Sequence, residues 1–237
     1  MAVDISTTPD TDRLFALLRE IDLSVPGRTE GRTTHHTETW SICRLVSTLA
    51  AAGLLTFPVA VTHRDRPDFL IDDGGKAIGV EITEAISQQY AAYCALAERE
   101  FPGALLELAH FRWDSPERTV EEMRTLLRQT QLTSEGWASD HPEREWALFM
   151  QSAVDNKFGK LAHPDFAKFE RNWLSIYDNL PMPNIHLGNA IGFLRPLLQD
   201  RWARSPGFDA VFIEHGPVIA HITSMGSNHL LLKDLWG

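Results

Sequence analysis

Apolar and polar positions along the chain fall into two rhythms. A helical rhythm recurs at three and four residues: Ile42, Leu45, Val46 and Leu49 mark a helix from Thr37 to Gly53, where the glycine can end it. Ile86, Tyr90, Tyr93 and Ala97 mark a second from Ala85 to Glu100, and Ala147, Met150, Val154, Phe158 and Leu161 a third from Glu143 to Ala162. Shorter helices are predicted at Thr11–Ile21 and Val120–Arg128, and one from Leu187 to Arg204 is broken near Pro196. Strands are predicted at Phe57–Thr62, Arg66–Ile71, Gly79–Glu84, Asn172–Tyr177, Ala210–Glu214 and Val218–Thr223. The order is helix, three strands, helix, insertion, helix, strand, helix, hairpin. Such alternation implies an α/β fold with a central mixed sheet.

The Asp72-Asp73-Gly74-Gly75 turn makes a hairpin of the second and third strands and can bring Asp68 beside Glu81, thirteen positions later. Two carboxylates side by side repel unless a proton or a cation neutralises them, so the pair suggests a divalent metal site. Asp68, following Arg66-Pro67, also has the composition of an ordinary turn. Glu81 interrupts an otherwise apolar strand and needs a partner, because an unpaired buried carboxylate costs several kcal/mol. That partner is either a metal or an arginine, Arg64 or Arg66. Glu38 projects into the apolar stripe of its helix near the first turn; it either serves the helix terminus or points into a site.

Pro67-Asp68, a hairpin and Glu81-Ile82-Thr83 together resemble the PD-(D/E)XK nuclease superfamily, with its restriction-endonuclease-like mixed sheet flanked by helices. The order of elements matches that fold's αβββαβ core. The resemblance implies a metal-dependent endonuclease hydrolysing phosphodiester bonds of DNA, with Mg²⁺ or Mn²⁺ held by Asp68 and Glu81 and an acid of the first core helix, Glu38, assisting. It places Thr83 where the family has lysine. Some members take that lysine from a neighbouring element; of Lys157 and Lys160, Lys157 borders the apolar stripe and is preferred, although a flanking lysine commonly only snorkels. Gln89 and Tyr93 match a Gln-x-x-x-Tyr pair that contacts DNA in some members, and helix packing explains them equally.

Composition narrows the partners. A net charge of −10 over 237 residues argues against a general polyanion binder. Arg28, Arg32, His35, His36, Arg64 and Arg66 nevertheless gather around the expected site, with Arg28, Arg32 and Arg66 as candidate phosphate contacts. Residues 1–36 read as an N-terminal helix and Arg-rich loop, and 37–237 as the nuclease-like domain with a helical insertion at about 102–142. No apolar run approaches the ~20 residues of a membrane span, no secretory signal is seen, and Cys43 and Cys94 lack metal-type spacing, so a cytoplasmic protein is expected. A homodimer is possible on family grounds, with no heptad to identify its interface. Two alternatives stay open: a catalytically inactive nuclease-like module that binds nucleic acid or protein, and a metal hydrolase of small molecules. RNA is an alternative substrate.

Overall fold

The computed structural model describes residues 3–27, 31–129, 134, 136–161 and 163–237. It is a mixed α/β protein with one eight-stranded sheet and, among the described residues, six α-helices. The strands are β1 (Asp4–Thr8), β2 (Val59–His63), β3 (Phe69–Asp73), β4 (Lys76–Ala85), β5 (Arg171–Asp178), β6 (Ala210–His215), β7 (Val218–Ile222) and β8 (Ser227–Leu231), and they lie in the sheet in chain order. β1 to β4 pair antiparallel in succession, β5 and β6 pair parallel, and β6 to β8 pair antiparallel. The helices are α1 (Thr11–Arg19), α2 (Thr34–Ala51), α3 (Gln88–Glu100), α4 (Val120–Leu127), α5 (His141–Leu161) and α6 (Leu187–Leu197).

Two compact units emerge. One comprises Met1–Glu84, Ser152–Asp178 and Leu198–Gly237, and the other Ala85–Gln151 and Asn179–Leu197. The first holds the sheet and its core. There Ile42, Leu45, Val46 and Leu49 of α2 meet Val59 and Val61 of β2, Phe69 and Ile71 of β3, and Ile78, Val80 and Ile82 of β4. Each of these side chains is fully or almost fully buried, and each Å² of apolar surface so removed from water contributes ~25 cal/mol. In the second unit Tyr93, Leu96 and Ala97 of α3 pack with Met123 and Leu127 of α4 and with Phe111.

Several boundaries differ from the sequence expectation. α2 begins three residues early: Thr33 is its N-cap, and the Thr33 amide donates to Nδ1 of His36 at 3.1 Å. Glu38 therefore stands beyond the first turn and is not a capping acid. Ala85 extends β4 and does not open a helix, and α6 stops at Leu197, one residue past Pro196. β1 and β8 are additional strands.

The hairpin between β3 and β4 is set by Gly74 and Gly75, whose φ angles of +62° and +87° fit the type I′ turn that matches strand twist. Asp72 Oδ1 accepts from the Gly75 amide at 2.7 Å, and Asp73 accepts from the Thr56 amide. The turn fixes the register, Asp73 opposite Lys76 through Phe69 opposite Val80.

Candidate functional site

Continued by one residue, that register sets Asp68 opposite Glu81. Because side chains alternate along a strand, Phe69, Ile71, Ile78, Val80 and Ile82 turn into the core while Asp68, Gly79, Glu81 and Thr83 share the opposite face. Three contacts hold Asp68 there. Its Oδ2 accepts the Ile82 amide at 2.7 Å, its carbonyl accepts the Arg64 amide at 2.7 Å, and Pro67 packs on Gly79. A Cβ on Gly79 would lie 2.7 Å from the Phe169 ring and 2.9 Å from Pro67, so only glycine allows this close approach.

Glu81 is 5 % exposed, and its Oε1 accepts from Nζ of Lys157 at 2.7 Å. Lys157 projects from α5 and is itself buried. The partner of Glu81 is thus neither arginine considered from the sequence. Arg64 lies over the Phe169 ring, 5.5 Å from its centre, and Arg66 is exposed near Asp165 at 4.0 Å. The cation that meets Glu81 comes from α5 and not from its own strand.

Burial is the main cause that pushes Asp68 up to about 7, and the negative charges of Glu81 and, more weakly, Glu38 add to it. The Ile82 amide and the Lys157 charge act in the opposite sense without cancelling it. At neutral pH Asp68 is therefore poised near the loss of its proton. Oδ1 of Asp68 and Oε2 of Glu81 accept no hydrogen bond from the described residues.

These side chains open into a cavity of about 910 Å³ that also takes in Arg32, Glu38, Thr83, Glu84, Asn156, Lys160 and His163. Asp68, Glu81, Lys157, Glu38, Arg32 and Arg66 are thus brought to one cavity, whose charged lining of five carboxylates (with Asp65 and Glu84) and four Lys or Arg side chains is nearly balanced. Arg32 is tied at 3.2 Å to both Glu84 and the Thr37 hydroxyl. Gln89 does not line the cavity: it belongs to the other unit, where its Oε1 accepts the Arg118 amide at 2.9 Å. Tyr93 is a core residue of that unit. Arg28 lies outside the described residues.

Sequence reasoning assigned no role to Asn156 or His163 and set Lys160 aside because it points away from the apolar stripe. Lys160 is exposed, as that projection requires, yet lines the cavity. The spacing of Lys157, Lys160 and His163 at three residues was the available signal.

Among the described residues, the one group of three side chains whose ligand atoms all come within 4.8 Å of one another is His35, Glu38 and His63. Glu38 therefore groups with two histidines within that limit, and not with Asp68 and Glu81 together as expected from the sequence.

No protein-family model, curated protein or solved structure matches the chain significantly. No described helix is long and apolar enough to cross a membrane.

Proposed function

We propose that the protein is a divalent-metal-dependent nuclease of the PD-(D/E)XK type, with a restriction-endonuclease-like core, acting on phosphodiester bonds of DNA. The observation that supports this most is the ammonium of Lys157 at 2.7 Å from Glu81, on the strand face that Glu81 shares with Asp68, in an open cavity. The donor set suits Mg²⁺ or Mn²⁺, which favour carboxylate oxygens, and Oδ1 of Asp68 and Oε2 of Glu81 are the oxygens left to hold the ion. Such an ion, when bound, supplies Lewis-acid stabilisation of charge at phosphorus and lowers the pKa of its water.

The chain's own residues do the rest. Asp68 must lose its proton to act as a ligand, so its pKa of about 7 sets the low-pH limit of activity. Lys157 orients Glu81 and presents a fixed positive charge toward a scissile phosphate, the role a hydroxyl at Thr83 cannot perform. Arg66, Lys160 and His163 are placed at the cavity to position the backbone of the substrate, and Arg32 would join them with the donors that Glu84 leaves unused.

The test is cleavage of supercoiled plasmid, with single-stranded DNA and RNA as parallel substrates, in Mg²⁺ or Mn²⁺ and in EDTA. Wild type should nick or linearise DNA only with the metal, and Asp68→Asn, Glu81→Gln and Lys157→Met should each lose the activity.

One observation favours a second reading. The Lys157–Glu81 pair is closed and buried, so Glu81 is satisfied without a metal, as it would be in an inactive module that only binds. Intact plasmid under all conditions, together with Mg²⁺-independent DNA retention, would establish that module instead.

A further inference from the structure

His35 and Glu38 stand three residues apart on α2, so both side chains rise from the same side of the helix. His63 ends β2, where register sets it opposite Phe69, and its ring packs edge-on against Phe69 at 5.2 Å and against His35 at 5.4 Å. Its Nε2 is 3.8 Å from a Glu38 oxygen, too far for a hydrogen bond between them. Neighbouring ligands of a tetrahedral ion lie about 3.3 Å apart at metal–nitrogen and metal–oxygen distances of ~2.0–2.1 Å. The Glu38–His63 pair needs to close by about 0.5 Å, and no pair in the group by more than ~1.5 Å, which side-chain torsions supply. All three residues are partly buried, and the buried ring of Phe69 holds the His63 imidazole in place. His36, the third histidine of this region, is not part of the group, and its Nδ1 accepts from the Thr33 amide.

We propose that His35, Glu38 and His63 form a binding site for a late first-row divalent ion of the Zn²⁺ class, separate from the Mg²⁺ that Asp68 and Glu81 would hold. Two imidazoles and one carboxylate are the donors of Zn²⁺, Co²⁺ and Ni²⁺ sites, whereas Mg²⁺ selects oxygen. Three protein ligands leave a tetrahedral ion one open position, the arrangement of reactive rather than purely structural zinc. Glu38 also lines the 910 Å³ cavity, so this ion would stand at the cavity wall and bring a second cation to it.

The experiment uses the full-length, untagged protein stripped with EDTA and titrated with Co²⁺, read by visible d–d absorption, and with Zn²⁺, read by calorimetry. One equivalent of Co²⁺ should give an intense band in the visible, displaced by Zn²⁺ and unaffected by excess Mg²⁺. His63→Ala and His35→Ala should each weaken Zn²⁺ binding by more than the ~10–100-fold that loss of a second-shell partner costs. Both variants are compared with wild type by circular dichroism in EDTA, and His35→Ala, in the first turn of α2, is the less disruptive of the two. Glu81→Gln should leave the Co²⁺ spectrum unchanged. Absence of the Co²⁺ band overturns the proposal, and so does equal Zn²⁺ affinity in wild type and both histidine variants. Loss of Co²⁺ binding in Glu81→Gln with retention in the histidine variants also overturns it. That last result would place the ion on the carboxylate pair and leave the nuclease reading standing.

Discussion

Replacing Asp68 by asparagine tests the electrostatics of the site apart from any chemistry. Asparagine keeps the carbonyl that accepts the Ile82 amide, and it removes the ionisable proton. Burial and the neighbouring Glu81 raise the folded-state pKa of Asp68 from 3.8 to about 7, and the unfolded chain restores the ordinary value. Below about pH 4 both states hold the proton and the carboxyl has no effect on folding. Between about pH 4 and pH 7 the unfolded state loses its proton first, so wild type is progressively destabilised as pH rises; above about 7 the penalty is constant. Three pH units at about 1.4 kcal/mol each give a ceiling of about 4 kcal/mol.

Asp68→Asn escapes that penalty, so in EDTA it should match wild type near pH 4 and exceed it by roughly 1–4 kcal/mol at about pH 8. Urea unfolding of both proteins across this range, with constant m-values, measures the difference directly. A stability difference that does not change with pH would refute the reasoning, as would an asparagine variant less stable than wild type at pH 8. Mg²⁺ should then shift the difference toward wild type: at one hundred times its Kd it stabilises wild type by about 2.7 kcal/mol and does nothing for the variant.

Lys157→Met leaves Glu81 buried without its cation, and urea unfolding at neutral pH should show a loss of about 3–5 kcal/mol; the double variant with Glu81→Leu should recover most of it. Gly79→Val drives a side chain into Phe169 and Pro67, so a loss of about 1–3 kcal/mol is expected, together with a fall in plasmid cleavage because Pro67 carries Asp68. Arg44 is buried between Glu214 at 2.8 Å and Asp234 at 2.7 Å, and Arg44→Met should cost about 3–5 kcal/mol by thermal or urea unfolding, since it strands the buried Glu214. Plasmid nicking by wild type in Mg²⁺ should rise with pH through about 7, as Asp68 loses its proton, and level off above it; a profile flat from pH 5 to pH 8 contradicts the ligand role.

Much of this architecture was legible because burial imposes a period on the sequence. The stripes Ile42–Leu45–Val46–Leu49 and Met150–Val154–Phe158–Leu161 are those the core selects, and the Gly74-Gly75 turn locates the hairpin within two residues. The two edge strands were not legible. β1 and β8 each pair on one side only and bury few of their residues, so neither carries an apolar alternation strong enough to read. The site divided in the same way. That Glu81 needed a partner followed from the apolar strand around it, but which cation answered depended on where α5 lies against the strand's outer face. Lys157 could be preferred by helical projection and not demonstrated. The approach of His63 to His35 depends on register between distant elements and left no mark at any fixed spacing.

The position of the lysine shows what kind of rule a short motif encodes. Thr83 follows Glu81 by two residues and shares its face of β4, so a lysine there would reach the carboxylate along the strand. Lys157 reaches the same carboxylate from a helix seventy-six positions away. For the chemistry proposed, the requirement is an ammonium within hydrogen-bond distance of the second acid, on the strand face that also carries the first. Any element that packs over that face can meet it. A sequence pattern therefore records only the solution in which the ammonium and the acid share a strand. The physical trace of the other solution is a lysine buried to 9 % exposure on a helix otherwise packed through its apolar stripe. Lysine loses a strongly hydrated charge on burial and stays only where a carboxylate compensates it, so that low exposure, rather than the acid-x-Lys spacing, is what marks the Lys157–Glu81 pair.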